Sequence, residues 1–286
     1  NNPTQPKLPL LKKRLIRLAI PTIFWFFIAA GLKFINKNSH IEIISLILQG
    51  EIFTGAYYLL IILQLMPIYI LIRNWLNQRK NILSAVIFQT VVFLLTYAII
   101  FGLFGEQVLK FLIQMERHLI IYWLVYIALG VYISKNFAWI ENQSFSLSKT
   151  KKILILCFTA TIMMIEYRVL TLLLENSLRP FDYAAFSCIL SIPAMFICFT
   201  SINENNLPPP TVKIIKLLSK YSLGIFCING ILAQIFLSIG TTLFSQASFN
   251  LAQILIIKII GWITLLTISL LLSMLLKRLG LKRVVC

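Results

Sequence analysis

Few residues in this chain are equipped for chemistry, and they are widely spaced. Arg14 and Arg17 stand three apart in KLPLLKKRLIRLAIPTIFWFFI (7–28), with Lys12 and Lys13 beside them. A guanidinium is a planar fork that makes paired, charge-assisted hydrogen bonds, so two of them suit a phosphate. The same collar also reads as an orientation signal for a helix entering a bilayer. Glu166, Arg168 and Lys258 are ionisable groups inside apolar runs. Charges there are costly and face either a cavity or a partner. His118, beside Arg117, is either a group titrating near neutrality or a polar cap, and no nucleophile stands next to it in sequence. Asn229 is an uncharged group able to hydrogen-bond between helices. The sequence shows no metal-ligand spacing, phosphate-binding glycine loop or nucleophile elbow. Its five cysteines form no CxxC, and four of them read as small apolar fillers within apolar runs.

The elements that must position these residues are membrane helices. Of 286 residues 59% are hydrophobic and 12% charged, which excludes a soluble globular domain. Eight apolar runs stand out, at roughly 15–34, 52–72, 82–104, 118–134, 153–174, 181–202, 220–240 and 251–276. A net charge of +17 would point to nucleic acid in a soluble protein. Here the charge has another explanation. If residue 1 is cytoplasmic, the inner connections carry 19 of the 26 cations and the outer ones 5, while six of nine acids lie outside. That is the positive-inside pattern, and the nucleic-acid reading falls away. The expectation is an all-α polytopic bundle of about eight transmembrane helices, both termini cytoplasmic, forming one domain over 1–286 in the plasma membrane.

Depth along the helices sharpens the reading of the buried charges. At 1.5 Å per residue, Glu166 lies ~12 Å and Lys258 ~11 Å below the outer ends of oppositely directed spans. A Glu166–Lys258 pair is therefore expected, with Arg168 on another side of its helix and snorkelling outward. A substrate cavity lined by these groups is the other open reading. EQVLKFLIQMER (106–117) has the spacing of an amphipathic surface helix, and 36–50 is interfacial or re-entrant. ENQSFSLSKTKK (141–152) reads as a polar loop and NENNLPPP (203–210) as a stiff polyproline II loop. Pro21, Pro67 and Pro193 fall within spans, where they kink helices or mark their ends. Tyr57 and Tyr58 fit an aromatic belt at a membrane interface.

Several stretches together resemble the acyltransferase 3 family. The Arg14-x-x-Arg17 collar followed by Pro21 and Trp25 is similar to that family's third membrane helix. GAYYLLIILQLMPIYIL (55–71) resembles its aromatic pair entering a Leu-Gln-rich span, and IIYWLVYIALGVYISKN (120–136) its aromatic and glycine-tyrosine helix. LLSKYSLGIFCINGILAQIF (217–236) resembles its closing signature. The likeness implies an integral membrane O-acyltransferase acting on bacterial surface glycans. It would move an acetyl or succinyl group from cytoplasmic acyl-CoA to a hydroxyl of a polysaccharide or lipid-linked sugar. By the same likeness Arg14 and Arg17 would hold the donor's phosphates, no cofactor would be tightly bound, and membrane lipid would surround the protein. Tyr57, Tyr58 and Asn229 join Glu166, Arg168 and Lys258 as candidates for the substrate cavity. The departures are definite. The family's closing histidine is Asn229 here, and Gly55 stands where a histidine often precedes the aromatic pair. The resemblance implies a catalytic-base histidine on helices upstream of Asn1. The alternatives are a member without a base, or a transporter or flippase whose path Glu166, Arg168 and Lys258 would line.

Overall fold

The structure, a computed structural model, describes residues 7–35, 39–115, 120–173, 185–243 and 250–285. Every regular element among them is a helix. In chain order the α-helices are α1 (Lys7–Ile35), α2 (His40–Leu48), α3 (Ala56–Ile72), α4 (Arg79–Ile100), α5 (Glu106–Met115), α6 (Leu124–Lys135) and α7 (Phe137–Ser146). They continue with α8 (Lys149–Leu173), α9 (Phe186–Phe199), α10 (Pro209–Lys220), α11 (Ser222–Leu243), α12 (Leu251–Arg278) and α13 (Lys282–Val285).

Each of the eight apolar runs holds a helix. Four of these, α1 from Leu11, α4, α8 and α12 from Ala252, are long and apolar enough to cross a membrane. The bent pair α10–α11 makes a fifth if it counts as one span. The helices in the other three runs, α3, α6 and α9, have 17, 12 and 14 residues. The architecture is a multi-pass, all-helical membrane protein.

The chain divides into two compact units. The first comprises residues 1–66 and 208–286, and the second 67–207. In the first, α1 packs against α2 and α13, and α11 against α12 and α13. Its core gathers Trp25, Phe26, Ile52, Phe53, Ala56, Leu59, Cys227 and Val285. Most of α12 is exposed, and its buried residues include Ser269 and Ser273, one helical turn apart. Small residues at such a seam let two membrane helices approach closely. In the second unit α8 packs on α9, α4 on α6, and α7 on α9.

Two connections differ from the sequence-based expectation. Residues 141–146 lie in helix α7 rather than in a loop. The reason is Ser144, wholly buried, whose Oγ accepts the backbone N–H of Ser201 at 3.1 Å. The proline run opens helix α10, with proline at its first positions and a 3-10 turn at Glu204–Asn206 before it. Proline is pre-set for a helix start because its missing N–H would have no partner there anyway. Within the segment read as interfacial or re-entrant, residues 40–48 form the short helix α2, opened by a capping box: Ser39 Oγ accepts the Glu42 N–H and the Glu42 carboxylate accepts that of Ser39. As expected, 106–115 is a helix, and Leu109 and Leu112 pack against Ile100, Leu170 and Ala185. Pro21, Pro67 and Pro193 all sit inside their helices.

Candidate functional site

The arginine pair lies on α1. Arg14 is half-buried and Arg17 exposed, and their three-residue spacing places them on neighbouring positions of one face. α1 contains no acidic residue, and among the described residues neither guanidinium has a hydrogen-bond or ion-pair partner. Pro21 has no N–H to give the carbonyl of Arg17, which loosens the backbone next to the pair. One turn further, Trp25 locks the helix. Its indole Nε1–H donates to the carbonyl of Val284 at 2.9 Å in the buried core, tying α1 to α13. The pair therefore projects from a helix held in register 259 residues away in sequence. Two unpaired forks on such a helix can hold an anion such as a phosphate.

Tyr57 and Tyr58 open α3, Tyr57 packed against Gly50, and Asn229 lies on α11. Tyr58 meets Phe226 edge to face, with centroids 5.5 Å apart at 62°. Gly230 lies against the chain before α3, where an added Cβ would be 2.3 Å from the Thr54 carbonyl oxygen. Gly50 and Gly55 take φ of +65° and +88°, so the turn into α3 depends on glycine at both places. Next to Gly230, the Oδ1 of Asn229 is buried without a donor among the described residues, as is the Oγ of Ser269 on α12. Among the described residues, the interhelical hydrogen bond open to Asn229 is not made by its oxygen. A buried, unsatisfied acceptor costs about 1–3 kcal/mol, so a hydroxyl or amide proton presented there would be taken up.

A cavity of about 450 Å³ opens in the same unit, with walls from α1, the segment before α3, and α11. Its lining is apolar except for Lys33 and Gln234. Lys33 lies 16 residues beyond Arg17 on the same helix, hence ~24 Å along its axis. None of the residues singled out in the sequence lines this cavity.

Glu166 and Arg168 stand in the second unit and Lys258 in the first. The carboxylate of Glu166 is held by three donors of its own unit. Tyr97 Oη–H on α4 donates to Oε1. The first amides of α9 also donate, Phe186 N–H to Oε1 at 2.9 Å and Ser187 N–H to Oε2 at 2.8 Å. Glu166 thus caps α9 and joins it to α4, because the opening amides of a helix lack intrahelical partners and carry positive partial charge. Within its own unit the carboxylate therefore has three donors and needs no lysine to compensate it. Arg168 and Lys258 are both exposed. His40 stacks on Phe34 at 5.2 Å, and His118 lies outside the described residues.

One polar node escapes sequence reasoning. Lys152 Nζ donates to Ser201 Oγ at 2.5 Å and to Ser144 Oγ at 3.3 Å, knotting the start of α8 to α7 and to the chain after α9. Two serines 57 residues apart carry no sequence signal of that meeting.

These features describe a multi-pass helical scaffold with an unpaired arginine pair and an orphan acceptor in one of its units. Comparison with known proteins adds the class. A family model described as an acyltransferase domain, that of acyltransferase 3 proteins, matches residues 2–278, across both units. No curated protein and no solved structure matches significantly. With all but nine of its 286 residues inside the matched range, the chain belongs to the acyltransferase 3 family of membrane acyltransferases.

Proposed function

We propose that this protein is an O-acyltransferase of the plasma membrane that takes an acetyl or succinyl group from cytoplasmic acyl-CoA. The acceptor is a hydroxyl of a surface polysaccharide or a lipid-linked sugar. The observation that carries the reading is the pairing of a family match over 2–278 with Arg14 and Arg17, unpaired on the tethered helix α1. In this reading both termini are cytoplasmic, eight spans cross the bilayer, and the chain works as one domain over 1–286. The cation asymmetry of the connections supports the orientation. α1 then enters with its arginines at the donor side, and their forks hold the phosphates of acyl-CoA. The Lys33–Gln234 cavity and the orphan oxygen of Asn229 supply polar contacts for the acceptor sugar. Transfer deprotonates the sugar hydroxyl, whose oxygen attacks the thioester carbonyl and expels the thiolate of CoA. The base is not assigned to a residue of this chain.

The test is acyl transfer and acyl-CoA binding by the full-length protein carrying Arg14→Ala or Arg17→Ala. Both should lose donor binding and transfer while still inserting, and Arg14→Lys should recover little, because an ammonium makes no paired contact. Normal transfer by both alanine variants would reduce the pair to an orientation signal.

A further inference from the structure

The second unit carries a groove that plays no part in the proposed transfer reaction. Along α4, Arg79, Ile82, Leu83 and Val86 follow helical spacing and make one wall. Opposite them Leu129 and Tyr132 of α6 make the other, and Asn136 and Trp139 close its end. The space is about 580 Å³, within the ~300–1,000 Å³ of sites that take drug-sized ligands.

The wall is graded. The carbon-lined part lies along the helices, and the polar groups Arg79, Asn136, Tyr132 and Trp139 collect at one end. Arg79 is exposed and has no partner among the described residues. The end is electropositive as well. Arg73, Arg79, Lys80 and Lys135 stand on the lining elements and their neighbours, against the single acid Glu141 of α7. Lys135 cannot wander, since its Nζ donates to the carbonyl of Asn77 at 2.7 Å and holds the end of α6 to the turn before α4. Tyr132 and Trp139 are partly exposed amphipathic aromatics, the type that settles at the headgroup level of a bilayer. An apolar trough opening onto a guanidinium that has no partner among the described residues, at the first residue of a helix long and apolar enough to cross a membrane, is complementary to one acyl chain joined to one phosphate.

We infer that this groove is a binding site for an anionic phospholipid, with an acyl chain along Leu83, Val86 and Leu129 and the phosphate on Arg79. The site requires no acyl transfer and is separate from the arginine pair of α1.

The test is photocrosslinking of the purified protein in lipid nanodiscs, with phosphatidylglycerol bearing a diazirine in its acyl chain and with the matching phosphatidylcholine. Labelled peptides are mapped by mass spectrometry. Phosphatidylglycerol should label 82–86 and 129–132 at least fivefold more than phosphatidylcholine does. Arg79→Gln should cut that labelling at least threefold while labelling of α12 stays constant, and Arg79→Lys, which keeps the charge, should retain most of it. Val86→Trp, which fills the trough, should abolish it for both lipids. Equal labelling by the two lipids, or unchanged labelling in Arg79→Gln, overturns the inference. So does competition by acyl-CoA or inorganic phosphate stronger than that by unlabelled phosphatidylglycerol, which would make the groove a donor or free-anion site.

Discussion

The clamp around Glu166 offers the most direct test of how the second unit is held together. Three donors from α4 and the first turn of α9 converge on one carboxylate of α8. Glu166→Gln keeps the length of the side chain but exchanges one acceptor oxygen for an NH₂ group. That group faces an amide or a hydroxyl which has lost its acceptor. Hydrogen bonds to a charged group contribute about 1.5–3 kcal/mol, and a stranded buried donor costs about 1–3 kcal/mol. These figures overlap, and a loss of ~3 kcal/mol is the sensible expectation. At about 2–4 °C per kcal/mol for a unit of 150–250 residues, the midpoint should fall by ~6–12 °C. The assay is thermal unfolding of the detergent-solubilised protein, with Tyr97→Phe and Lys258→Met as the second sites of two double-mutant cycles. Glu166→Gln and Tyr97→Phe should couple, because once the carboxylate is gone the hydroxyl has little left to lose. Lys258→Met should be nearly silent alone and additive in combination. Strong coupling between Glu166 and Lys258, with none to Tyr97, would refute the clamp and restore the lysine pair expected from matched depths.

Gly230→Ala should lower thermal stability by roughly 1–3 kcal/mol or more, because its Cβ would meet the Thr54 carbonyl at 2.3 Å and Phe53 at 2.8 Å. Gly31→Ala has nothing within 4 Å and should be neutral or gain up to about 1 kcal/mol in helix propensity; equal effects at the two sites would discredit the packing argument. For topology, single cysteines at Phe145 and Ser245 in a cysteine-free background should differ in intact cells. An impermeant reagent should label only position 245, and equal labelling would end the eight-span arrangement.

The sequence made the helices legible more readily than their partners. Every apolar run became a helix because continuous hydrophobicity of that length has few other uses, and the 106–115 surface helix followed from its spacing. What failed were segments whose state is set by tertiary contact. ENQSFSLSKTKK reads as polar loop until Ser144 is seen buried beneath Lys152 and Ser201. The proline run reads as an extended spacer, although proline is equally at home at the start of a helix. Of the candidate site residues, Glu166 showed its charge and depth in the sequence, but not the amides of α9 that hold its carboxylate. Charges announce themselves in a sequence, whereas unpaired backbone N–H groups do not.

The stretches that carry the family resemblance turn out to be mostly scaffold. Trp25 of the basic-collar helix is spent on the carbonyl of Val284, and Gly55 on a positive φ against Phe226. In the closing signature Gly224 fits against Ser273 and Val285, Gly230 against Thr54, and Phe226 against Tyr58. Such close approaches are what membrane helices use in place of a hydrophobic driving force, which lipid does not provide between them. A glycine that admits a neighbouring backbone carries no proton and binds no thioester. The features that make this chain recognisable and the features that would make it react are therefore largely different residues. Arg14 and Arg17 are the exception, being part of the resemblance and yet unpaired among the described residues, on a face of α1 that the Trp25 contact holds in place. Substituting them separates the two properties: the packing residues should continue to specify the fold, and only the chemistry should be lost.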